Sequence, residues 1–153
     1  MMKDLILTHY YLPDRKPFLN LSALTADELK NVLEELREKT ARGESKRVFM
    51  DWYVDDRRKS EQRMREQFIS KGGKPKKNYP HYFILGESII QKSTAANMRE
   101  ITIPLSEIPA ELISFTYPDS MASFDLADDE KYKMPYHGKV FTLGELKEVI
   151  REY

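Results

Sequence analysis

Arg57 and Glu61 lie four residues apart in a stretch dense with charge, close enough to pair on one helix face. At about 100° per residue, Arg57 falls within roughly 40° of Tyr53, Met64 and Phe68 on a helical wheel. A cation and a carboxylate therefore occupy the row that apolar side chains claim. Three readings are open. Arg57 presents its guanidinium to a phosphate or carboxylate while Glu61 orients it. Alternatively, the two form a partly buried structural ion pair. In the third, the helix turns or breaks there and both face water.

The histidines form a second group. His9 and Tyr11 point to one face of a strand, and Tyr10 to the other. His titrates near neutral pH, so His9 beside tyrosines suits a polar pocket. His81 follows Pro80 at a strand end, a common position for binding residues. The competing readings are a hydrogen-bonded core histidine and a strand-end histidine packed on a loop. His9, His81 and Glu61 are the candidates for acid–base work. His137 sits in the turn-like Pro135-Tyr136-His137-Gly138. No two histidines have ligand spacing, so neither a metal nor a cofactor is expected.

The third group is basic. Lys71, Lys74, Lys76 and Lys77 surround Gly72-Gly73, but the spacing is not that of a phosphate-binding P-loop. Residues 55–77 hold nine basic and four acidic residues, while residues 107–130 hold seven acidic and no basic ones. The polarity is that of two solvated surfaces, or of a basic side with an anionic partner. Pro118-Asp119-Ser120 reads as turn chemistry, and no G-x-S-x-G elbow anchors a hydrolase triad.

The elements that must position these residues follow from periodicity. Strands are expected at 5–12, 81–85, 100–105, 112–117 and 139–141. Pro104 suits an edge strand or a strand end. Thr25 with Glu28 is a capping box that starts a helix, and Leu29, Val32, Leu33 and Leu36 give it an apolar stripe. Gly43 suits its C-terminal cap. Residues 47–71 read as one long helix capped by Ser45, with a polar middle where it can bend, ended by Gly72-Gly73. Residues 91–97 read as a polar connection, and 124–135 as acidic, irregular and mobile. Thr142 with Glu145 caps a last helix, with Leu143, Leu146, Val149 and Ile150 on its apolar face.

This order predicts an α+β fold: a single domain over 1–153, with an antiparallel or mixed sheet of about 4–5 strands against 3 helices. The 153 residues suffice for a core without staples. There is no cysteine, which excludes disulfides and thiolate chemistry. Basic and acidic residues balance at 25 each, which argues against general nucleic-acid affinity. No apolar run approaches the roughly 20 residues that span a bilayer, and Met1-Met2-Lys3-Asp4 leads into no signal-like segment. A cytoplasmic protein that does not enter membranes is expected.

The leading expectation is a polar cleft that binds an anionic small ligand, such as a nucleotide or phosphate compound. Its lining would be Arg57, Glu61, His9, Tyr11, Tyr53 and His81. Nine tyrosines, several on core elements, suit such a pocket or an equally polar core. The alternatives are a protein-interaction or regulatory domain without catalysis, and RNA or DNA contact through the basic helix and lysine loop. Whether the protein is an enzyme, and its oligomeric state, are left open by the sequence.

Overall fold

A computed structural model describes residues 5–152. The fold is α+β, and its strands pair antiparallel. The chain forms two compact units. One comprises residues 5–54 with Pro80–Glu107, the other Asp55–Tyr79 with residues 108–152.

In the first unit, β1 (Ile6–Tyr11) is the centre of a three-stranded sheet. It pairs with β3 (Arg99–Pro104) along its whole length and with the short β2 (Ile84–Leu85) at Leu7 and Thr8. Pro104 ends the edge strand β3, where its missing N–H costs no ladder bond. Helix α1 (Ala26–Ala41) starts at the expected cap, with the Glu28 N–H donating to Thr25 Oγ1. It ends in a Schellman pair: Gly43 N–H to Thr40 C=O, and Glu44 N–H to Lys39 C=O. Gly43 takes φ +76°, a conformation glycine adopts without a Cβ penalty. Leu29, Val32, Leu33 and Leu36 pack on a core of Leu21, Phe49 and Val54. A single turn, α3 (Ile89–Lys92), is capped by Ser88.

Helix α2 (Tyr53–Ser70) begins at the end of the first unit and supplies the second. Residues 47–52, expected to be helical, are not. Arg37 donates to the Phe49 carbonyl and Thr40 to the Arg47 carbonyl, so α1 takes the acceptors a helix would need. Phe49 turns inward while Val48 and Met50 face out. Ser45 caps no helix: it bridges to Ala95 and accepts the Arg47 N–H.

In the second unit, β4 (Ser114–Phe115) pairs with β5 (Phe141–Thr142). Helix α4 (Ser120–Ala127) is capped by the Asp119 carboxylate on the Ala122 N–H. Helix α5 (Leu143–Glu152) opens with the expected Thr142–Glu145 box. Met64, Phe68, Phe124, Val140 and Leu146 are buried. The stretch read as irregular therefore begins inside a helix, because the wholly buried Phe124 anchors α4 despite its acidic neighbours.

The expectation of one sheet against three helices is corrected in its detail. The described residues hold five strands in two small sheets, and five α-helices. The two additions, α3 and α4, are short and rest on side-chain caps at Ser88 and Asp119 rather than on long apolar stripes.

Candidate functional site

The six residues expected to line a pocket fall in different units. His9, Tyr11, Tyr53 and His81 belong to the first, Arg57 and Glu61 to the second.

His9 is held on every side. Its Nε2 accepts the Phe18 N–H at 2.9 Å, so the ring proton is on Nδ1, which donates to the Tyr82 carbonyl at 2.9 Å. Its ring stacks on Phe18 at 4.1 Å and lies near-parallel to Tyr11 at 6.1 Å. Burial pushes its pKa down, and the bond to Tyr82 opposes this. Both nitrogens are engaged, so in this arrangement the ring offers no lone pair to a substrate. Phe18 has φ +62°, a strained conformation for a bulky side chain, and the His9 bond helps to hold it there. The exposed His81 stacks on Phe18 at 4.9 Å. Tyr53 packs edge-on against Phe49, and its hydroxyl accepts from Arg47 at 3.4 Å.

Arg57 and Glu61 do pair: Nε donates to Oε1 at 3.3 Å. The Glu61 side chain is 0% exposed and that of Arg57 11%. The pair is thus inside the protein, which rules out the reading in which both face water. Taking one partner away removes the opposite charge from a group held in a poor solvent for charge.

The sequence reading passed over a third cluster, which lies wholly in the second unit. A groove of about 460 Å³ is lined by Arg63, Asp128, Lys133, His137, Gly138 and Lys139, with Ala127, Met134 and Pro135 as its apolar part. Gln67 on α2 builds its wall. Its amide donates to the Gly138 carbonyl at 2.8 Å and accepts the Val140 N–H at 3.0 Å, standing in for a missing strand. From α4, the Ser123 carbonyl and hydroxyl both receive the Gly138 N–H. Gly138 has φ +69°, and a Cβ there would come within 2.6 Å of the Ala127 methyl. Only glycine fits this crossing.

The wall fixes the imidazole. His137 Nδ1 accepts the Met134 N–H at 2.9 Å, so the proton is on Nε2. His137 is itself buried and is one of the residues that line the groove. Arg63 lies over the Phe124 ring at 5.0 Å and reaches Asp128 at 3.4 Å. Both ends of this ion pair are well exposed, so it is weak and leaves Arg63 donors available. Three cationic side chains, Arg63, Lys133 and Lys139, thus line the groove against one carboxylate, Asp128. The available sequence signal was three lysines, Lys131, Lys133 and Lys139, following directly on the acidic run and bracketing a His-Gly pair.

Among the described residues, no three His, Asp or Glu side chains are grouped as metal ligands, and no helix is long and apolar enough to cross a membrane. Comparison with protein-family models, curated proteins and solved structures returned no match.

Proposed function

We propose that the chain binds an anionic small ligand, a nucleotide or another phosphate compound, and that the groove around Arg63 receives its anionic group. The observation that carries this reading is the gathering of Arg63, Lys133, Lys139 and His137 around one concave surface. Guanidinium and ammonium groups donate to phosphate oxygens, and charge-assisted bonds of this kind are roughly twice as strong as neutral ones. The volume is within the usual size of small-molecule sites. The ligand's anchor in this reading is Arg63 rather than Arg57, whose guanidinium is engaged by Glu61 and largely enclosed.

A thermal-shift series with phosphate, sulfate, mononucleotides and dinucleotides tests the reading. A ligand at a hundred times its dissociation constant adds about 2.7 kcal/mol of stability. Stabilisation that disappears in Arg63→Gln supports the groove. Stabilisation that survives in Arg63→Gln but disappears in Arg57→Leu returns the site to Arg57. Silence across the series rejects the small-ligand reading.

The protein-interaction alternative has its own support in the first unit. Val48, Met50 and Trp52 are 70%, 53% and 57% exposed, and Ile89 and Ile90 exceed 80%. Apolar surface left open in this way is a common mark of contact with another macromolecule. A soluble partner that protects residues 48–52 and 89–90 in hydrogen exchange would favour it.

A further inference from the structure

β3 lies at the margin of the three-stranded sheet and pairs there with β1 alone. In an antiparallel ladder, successive residues turn their N–H and C=O to opposite sides. Two bonds fix the direction for each residue of this sheet. The Leu105 N–H donates to the Leu5 carbonyl, and the Gly86 N–H donates to the Ile6 carbonyl. Odd-numbered residues of β1 therefore face β3, and even-numbered ones face β2. Across the ladder, Arg99, Ile101 and Ile103 turn their backbone groups towards β1, while Glu100 and Thr102 turn theirs outwards. The backbone N–H and C=O of Glu100 and Thr102 have no hydrogen-bond partner among the described residues, and both residues are exposed.

An open edge of this kind is a template for another extended chain. Its ends are blunted, by the exposed charge of Arg99 on one side and by Pro104, which has no N–H, on the other. Pairing is thus confined to the centre of the strand, from Glu100 to Thr102.

We propose that this edge receives β3 of a second copy of the chain, antiparallel about a two-fold axis at Ile101. With Ile101 opposite its own counterpart, Glu100 faces Thr102 of the second copy, and Thr102 faces Glu100. Each of these pairs exchanges both N–H···O bonds, which satisfies every outward group of the two residues. The half-buried Ile101 meets Ile101 across the axis, so the apolar row runs on from one copy to the other. Neighbouring registers are worse. A shift of two residues one way sets Glu100 opposite Glu100, and like charges directly opposite destabilise a pair. A shift of two the other way sets Glu100 opposite Pro104, which has no N–H for the Glu100 carbonyl. In the favoured register the two Glu100 side chains lie on a diagonal, about 7–8 Å apart, where solvent and salt screen them.

The two-fold pairing uses up the open edge of both copies, so assembly stops at a dimer and does not run on into a fibre. Register, charge and closure together favour a second copy over an extended segment of another protein. The inference goes beyond the anion-site reading and does not need it, since the groove belongs to the other unit.

Two experiments on the intact protein test the pairing. Sedimentation of the natural chain should show a mass rising with concentration from the 18.0 kDa of one chain towards twice that value. Thr102→Pro removes an N–H that faces away from β1, so it should leave the urea unfolding midpoint nearly unchanged. It strikes both symmetric pairs at once and should weaken the dimer about tenfold or more. The second experiment uses the absence of cysteine from the natural chain. Under mild oxidation Ile101→Cys should give a disulfide-linked dimer, because residues at a non-hydrogen-bonded antiparallel pair have Cα atoms about 4.5 Å apart, within disulfide reach. Ile103→Cys should not, because four residues of offset hold its two copies about 14 Å apart.

A chain that stays monomeric up to about 0.3 mM, far above the micromolar range of ordinary specific association, overturns the proposal. So does a dimer that survives Thr102→Pro and is lost in Met50→Lys, which would place the interface on the exposed apolar side chains of residues 48–52. Equal cross-linking of the two cysteine variants overturns it as well. Should Thr102→Pro fail to fold, the cysteine comparison decides alone. Sulfate binding should be the same in the natural chain and in Thr102→Pro, so loss of the dimer and loss of the anion site are read separately.

Discussion

In the first unit His9 engages both ring nitrogens within the fold, on the Phe18 N–H and the Tyr82 carbonyl. In the second, His137 accepts the Met134 N–H on Nδ1 and lines the groove. Both rings are neutral tautomers set by a backbone N–H, but opposite ones: the proton is on Nδ1 in His9 and on Nε2 in His137. The first is a strut beneath a strained Phe18, and the second stands in the wall of the groove. The arginines repeat the contrast, with Arg57 enclosed against Glu61 and Arg63 in a weak, exposed pair with Asp128. What distinguishes a structural polar group from a functional one here is how many of its hydrogen-bonding atoms the chain itself consumes.

The enclosed groups should produce the largest effects when broken. Glu61→Leu leaves Arg57 without its carboxylate, and the expected cost is about 3–5 kcal/mol by urea unfolding. Replacing both Arg57 and Glu61 by leucine should recover most of that loss, because a buried ion pair is often no better than packed apolar side chains. A double variant as unstable as the single one would mean that the pair holds other parts of the fold.

His9→Leu comes next, at about 2–3 kcal/mol, from the unsatisfied Phe18 N–H and Tyr82 carbonyl together with the lost ring stack. Its pH dependence has a definite sign. Burial lowers the His9 pKa, so the fold favours the neutral ring. That contribution is present above the unfolded value of 6.5 and is lost as pH falls from there through the lowered folded value. Stability of the natural chain should decline over that acid limb, and the His9→Leu profile should be flatter there. Equal slopes would mean that His9 is not the group responsible.

Arg63→Gln should leave unfolding nearly unchanged but weaken sulfate or phosphate binding about tenfold, equivalent to about 1.4 kcal/mol. If it destabilised the fold as much as Glu61→Leu does, the contrast between enclosed and available arginines would collapse. The smallest effect is expected at Lys74, Lys76 and Lys77, all exposed. Their combined replacement by glutamine should change stability by less than about 0.5 kcal/mol per site. It should also leave small-anion affinity in place. Loss of a steeply salt-dependent RNA affinity in that variant would instead favour the nucleic-acid alternative.

Much of the local architecture was legible from spacing. The boxes at Thr25–Glu28 and Thr142–Glu145, the α1 stripe, the Gly43 cap and the Arg57–Glu61 pair all involve residues within a few positions of each other. Residues 47–52 were misread because their apolar content suits a helix, while the atoms that prevent one belong to Arg37 and Thr40. α4 was hidden because a single buried phenylalanine outweighs the acidic residues around it. The groove was illegible for a related reason: its wall depends on Gln67 bonding Gly138 and Val140, more than seventy residues along the chain.

By itself the sequence determined the α+β class, the main helix caps and the pairing of Arg57 with Glu61, since these follow from the geometry of one turn of chain. Only the tertiary structure decided which polar atoms stay enclosed and which face a groove. Burial and hydrogen-bond partners come from distant segments, and no local spacing encodes them.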